Sequence, residues 1–106
     1  MMPIVDEVAK RLRDELKANI KDFEGLYVFG SQIRGDISEN SDVDIVVLFE
    51  NNYFRKPRVY YDILSQIDYD YYGVIDLDVM TYTRNELQRN NFFHDEVVIK
   101  GVFYGT

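Results

Sequence analysis

The chain has 106 residues, no cysteine and a formal net charge of −7. Its length suits one domain with a modest core, and 46% hydrophobic with 29% charged residues is ordinary for a globular protein. Disulfide frameworks and thiolate metal sites are excluded, an apolar run of about 20 residues for a membrane span is missing, and the acidic balance argues against broad adhesion to nucleic acid.

The opening MMPIVDEVAKRL has no signal-peptide core, so a cytoplasmic protein is expected. Ile4, Val8, Leu12, Leu16 and Ile20 recur every fourth position and predict an amphipathic helix over 3–22, with Pro3 in its first turn. Gly25 then leads into a strand over Leu26–Phe29. Ser31 is placed to cap a short helix and Gly35 to end it, with a polar loop over Asp36–Ser41. The stretch Val43–Phe49 is rich in β-branched residues and predicts a second strand. In NNYFRKPR, Pro57 disfavours helix just before it. Val59, Ile63 and Ile67, with Tyr60 and Leu64, predict a helix over Arg58–Asp70. A third strand is expected over Val74–Tyr82. Thr83-Arg84-Asn85-Glu86 has the form of a capping box and starts a further helix through Phe92, Phe93, Val97 and Val98, with a break near Asn90-Asn91. Gly101 reads as its C-cap and 102–104 as an edge strand. Helices alternating with strands give an α/β (α+β) domain with helices packed on a small sheet.

Chemistry concentrates in LYVFGSQIRGDISENSDVDIVVLFE. In a strand, residues two apart share a face, so Asp42 and Asp44 project together while Val43, Ile45 and Val47 point the other way. Adjacent carboxylates repel, and a divalent cation between them reverses that. Gly30 lets backbone approach a ligand without an intervening Cβ, and free N–H groups at the turn suit an anion. An anion cradle beside a carboxylate pair matches a metal–nucleotide complex. Taken alone, the acid pair reads more readily as a solvated strand start.

Gly30-Ser31, ten residues, then Asp42-Val43-Asp44 resembles the signature of the nucleotidyltransferase superfamily that includes DNA polymerase beta. GSQIRG…SDVDIVV is most similar to its shortest members, the minimal nucleotidyltransferases (MNT), often paired with a HEPN-domain ribonuclease toxin. Ile33 departs from the pattern, where the family usually has a small residue. The resemblance implies a mixed sheet of the polymerase-palm type and a third carboxylate on a later strand: Asp78, with Asp76 as its rival in VIDLDVMTYTRNEL. It further implies Mg²⁺, as two ions about 4 Å apart, with Mn²⁺ as a substitute. Asp42, Asp44 and Asp78 would be the metal ligands and catalytic acids, and Gly30 and Ser31 would hold the outer phosphates of a nucleoside triphosphate. Arg34 would meet a phosphate or partner, or pair with Asp36 or Glu39.

Two functions follow. One is an enzyme transferring an NMP, AMP from ATP foremost, to a hydroxyl on a HEPN toxin, which makes it an antitoxin. The other is a binding module that neutralises a partner by contact. A long nucleic-acid acceptor would need a further subunit. His94 beside Asp95 reads as a surface residue, and the tyrosines at 60–61, 69 and 71–72 as partial core more than a base-stacking platform.

Overall fold

The structure is a computed structural model that describes residues 1–34, 42–51 and 55–106. Gly35 and the expected loop at Asp36–Ser41 lie outside the described residues. The elements in order are α1 (Pro3–Asn19), β1 (Phe23–Phe29), α2 (Ser31–Arg34), β2 (Asp42–Phe49), α3 (Arg58–Asp70), β3 (Asp76–Tyr82), α4 (Arg84–Gln88), α5 (Asn91–His94), a π-helical turn (Asp95–Ile99) and β4 (Val102–Gly105). The four strands form one mixed sheet in the order β3-β2-β1-β4. β1 pairs antiparallel with β2 and β4, while β2 and β3 run parallel, joined through α3.

Strand alternation divides the core between the two faces of the sheet. Val43, Ile45 and Val47 of β2 and Leu26 and Val28 of β1 pack with Val5, Val8, Leu12 and Leu16 of α1 and Ile63 and Ile67 of α3. Val46, Leu48, Tyr27 and Phe29 point to the other face, where Leu87 of α4 and Val97 of the π turn cover them. Arg11 joins α1 to the end of α3 through Asp70, Nη2 to Oδ2 at 2.7 Å.

Helix α3 spans the expected residues, and Thr83 and Glu86 form the expected capping box, with bonds of 3.2 and 3.0 Å. Elsewhere the boundaries move. α1 stops at Asn19, because Ile20 turns extended and drops its side chain into the core. β1 begins at Phe23, before the expected Leu26, because Phe23 is buried and its ring meets Phe49 edge-on at 6.2 Å. Gly25 is therefore inside the strand, at a register shift, with φ of 140°. A Cβ there would stand 2.6 Å from the Phe103 ring. β3 starts at Asp76, since Val74 and Ile75 still donate their N–H groups to the Tyr71 carbonyl. The last helix breaks at Asn90, whose side chain accepts the Phe93 N–H at 3.0 Å and caps α5. Gly101 is no left-handed cap; a Cβ there would collide with the carbonyls of Val97 and Val28, so it serves close packing. β4 is the edge strand expected beside β1.

The tyrosines divide. Tyr60 is buried, Tyr71 half-buried, and Tyr61, Tyr69 and Tyr72 are exposed. Lys56 is turned inward, 7% exposed, its Nζ 3.4 Å from the Asn51 carbonyl and 4.6 Å from the centre of the Phe49 ring. Burial lowers its pKa. Burial, with the neighbouring Tyr61 adding, pushes the Tyr60 hydroxyl up to about 12. An unfolded tyrosine titrates near 10. Between these values the unfolded chain releases a proton that the folded chain retains, so stability falls as pH rises through that window. The loss from Tyr60 is about 2 kcal/mol at its upper end. Urea midpoints for wild type and Tyr60→Phe, compared below and inside the window, should show a shallower alkaline loss in the variant. Parallel curves would show that Tyr60 titrates as it does when unfolded.

Candidate active site

The parallel pairing of β2 with β3 decides which acids meet. Asp42 stands opposite Asp76, and Asp44 opposite Asp78. Neighbouring strands lie about 4.8 Å apart and side chains in register share a face, so two rungs of carboxylates sit at one end of the sheet. All four belong to the face that carries Val46, Leu48 and Met80, opposite the α1–α3 core. Asp42, Asp76 and Asp78 are exposed and Asp44 is half-buried. Asp68 at the end of α3 approaches this group from the side. Burial raises its pKa and the Asp76 charge adds to that, against a hydrogen bond accepted from the Leu77 N–H.

Gly30 lies in the turn that ends β1, with φ of 79°, a left-handed conformation that suits glycine. The reason for glycine here is more specific than ligand access. A Cβ at Gly30 would stand 2.5 Å from Oδ2 of Asp44. Phe29, just before it, is the register partner of Asp44. The turn and the second acid are thus packed as one unit. Ser31 opens α2, and the Ile33 N–H returns to the Gly30 carbonyl at 3.0 Å. Ile33, the departure from the family pattern, packs its side chain against the α1–α3 core. Gln32 was not singled out by the sequence; its Nε2 donates to the Asp42 carbonyl at 3.3 Å and ties the turn to the start of β2. Arg34 is the last residue of α2, and its side chain lies outside the described residues.

Beside Gly30 and Asp44 lies an open cleft of about 480 Å³, lined also by Phe29, Phe92, Phe93 and Glu96. Phe92 and Phe93 were expected only as positions of the last helix, although two adjacent phenylalanines beside Asn90-Asn91 were a visible signal. Phe93 is locked inward, edge-on to Phe29 at 5.5 Å and against Tyr82 at 5.6 Å. His94 is half-buried, with Nδ1 3.4 Å from Oδ1 of Asp95, and lies by a separate small pocket beside Tyr27 and Leu87.

The carboxylates are hard oxygen donors of the kind Mg²⁺ takes, and their register pairs them across the strands. As the side chains stand, no three acidic or imidazole groups among the described residues gather closely enough to hold a metal ion. The donor set fits in chemistry and strand position, while the side chains of Asp42, Asp44 and Asp78 would have to turn together around an ion. No helix among the described residues is long and apolar enough to cross a membrane.

The sequence pattern of the nucleotidyltransferase domain matches residues 9–104, and the chain belongs to that family. Its fold is shared by solved structures of low sequence identity. Three solved structures show the likeness. A toxin–antitoxin structure with AMP-PNP is 23% identical, with a TM-score of 0.61 over 91% of this chain and 72% of that one. The toxin–antitoxin MntA–HepT is 20% identical, with a TM-score of 0.58 over 95% and 73%. A tri-AMPylated HEPN toxin in complex with an MNT antitoxin, from Shewanella oneidensis, is 18% identical, with a TM-score of 0.54 over 96% and 73%. At these identities the likeness is one of fold. No curated protein sequence matches the chain.

Proposed function

We propose that this protein transfers AMP from ATP to a hydroxyl group of a HEPN-domain toxin and acts as its antitoxin. One observation carries the reading: Asp44, set against the Gly30 turn, faces Asp78 across the parallel strands. An acid packed against a glycine turn and a second acid in register are the two halves of a transfer site. The AMPylated toxin complex among the fold's neighbours supports the choice of acceptor. The AMP-PNP structure supports the choice of nucleotide.

In this reading the N–H groups and hydroxyl at Gly30-Ser31 bind the β and γ phosphates. Asp42, Asp44 and Asp78 would hold Mg²⁺, which when bound neutralises charge on the attacking and leaving oxygens. The acceptor oxygen forms a bond to the α-phosphorus, the bond to the bridging oxygen of the β-phosphate breaks, and pyrophosphate leaves. Asp78, on the exposed edge strand, takes the acceptor proton. Asp76 pairs with Asp42, farther from the Gly30 turn, and is assigned a supporting charge only. Rate comes from positioning and charge neutralisation.

Contact-only neutralisation is the second reading, and a net charge of −7, suited to a basic partner surface, favours it. Divalent binding provides one test. Mg²⁺ or Mn²⁺ at about 100 times its dissociation constant should stabilise the wild type by roughly 2.7 kcal/mol. Asp44→Ala should lose most of that shift in a thermal melt. Equal shifts in both proteins would remove Asp44 from the metal site. The transfer itself is tested by incubating the protein with ATP, Mg²⁺ and a HEPN partner and weighing the partner for added AMP. A silenced toxin of unchanged mass would establish the contact-only reading.

A further inference from the structure

We infer that Phe92 is the platform on which the base of the nucleoside triphosphate stacks, an inference that rests on the nucleotide site proposed above. Phe92 is 78% exposed, a large apolar surface left in water at the mouth of the cleft that contains Gly30 and Asp44. Its position is fixed from behind. Asn90 caps α5, and Phe93 is wedged between Phe29 and Tyr82. Successive helical residues point about 100° apart, so anchoring Phe93 inward directs Phe92 away from the core. The cleft, at about 480 Å³, is open to solvent on the Phe92 side, so a flat base could lie against the ring. Asp44 lines it beside the Gly30 turn, and Phe29, Phe92 and Phe93 give it an aromatic lining. A nucleotide carries a flat π surface suited to such a lining, and phosphates that a divalent cation would join to Asp44. Glu96 lines the aromatic wall, held by Lys100 at 2.8 Å, and supplies an acceptor suited to a base N–H.

Stacking on an aromatic side chain tolerates every base and contributes about 1–3 kcal/mol, or roughly ten-fold to more than a hundred-fold in affinity. The experiment compares ATP with inorganic tripolyphosphate, each with Mg²⁺, by titration calorimetry on wild type, Phe92→Ala and Phe92→Trp. Phe92→Ala should bind ATP at least about ten-fold more weakly and tripolyphosphate as wild type does. Phe92→Trp should restore ATP binding. The side chain is exposed, so the fold survives its loss. Unchanged ATP affinity in Phe92→Ala overturns the inference while leaving the phosphate site standing. The same holds if ATP affinity stays and only the KM for the protein acceptor rises, which assigns Phe92 to the acceptor surface. Equal losses for ATP and tripolyphosphate also overturn it, because the effect then reaches the phosphates. Wild type binding neither ligand removes the nucleotide site itself, and the stacking platform with it.

Discussion

Gly30→Ala and Gly30→Val should both unsettle the site, and for two separable reasons. The first is backbone: at φ of 79° an L side chain is strained, by about 1–2 kcal/mol. The second is the 2.5 Å approach of the new Cβ to Oδ2 of Asp44. The carboxylate must swing away, which takes it from the position facing Asp78. ATP affinity in folded Gly30→Val should therefore fall by more than about ten-fold, equivalent to 1.4 kcal/mol. A double-mutant cycle separates the causes. In an Asp44→Ala background the clash is gone, so Gly30→Ala should cost only the backbone strain. The two substitutions should then be non-additive in urea denaturation, with a coupling of about 0.5–3 kcal/mol. Strict additivity would mean that the turn and Asp44 do not press on each other. Unchanged ATP affinity in a folded Gly30→Val protein would place the phosphates elsewhere.

That coupling marks the limit of what the chain shows before folding. Alternation was enough to put Asp42 and Asp44 on one face and Val43, Ile45 and Val47 on the other, because a strand's period is local. The bounds of α3 and the capping box at Thr83 were legible for the same reason. Gly25 misled, because a glycine within a strand reads as a break unless the ring that presses on it is known. That ring, Phe103, comes from the far end of the chain. The register of β2 against β3 was also hidden, since parallel strands joined through a helix carry no local mark of their alignment. The motif supplied the acids; the register supplied which acid faces which. The aromatic wall depends on where α5 falls over β1, and that is a tertiary fact.

Asp78→Asn should abolish transfer and leave binding intact. Asp78 is exposed on β3, and the strand is held by Leu77 and Val79 on its core side and by the β2 ladder. Asparagine keeps the size and an acceptor oxygen, so the fold, and the affinity for the proposed HEPN partner, should be near those of wild type. What disappears is the negative charge opposite Asp44. The attacking hydroxyl then loses both its proton acceptor and the charge that would hold the activating ion, and the rate should fall by about 10²–10⁴-fold from the proton transfer alone. The readout is the mass of the partner after incubation with ATP and Mg²⁺, alongside a pull-down with each variant. Asp76→Asn is the control: it lies opposite Asp42, one rung farther from Gly30, and should slow transfer much less. If Asp78→Asn transfers as well as wild type and Asp76→Asn does not, the roles of the two rungs are exchanged. If wild type and both variants leave the partner's mass unchanged yet silence it equally, Asp76 and Asp78 take no part in how this protein acts and the contact-only reading holds.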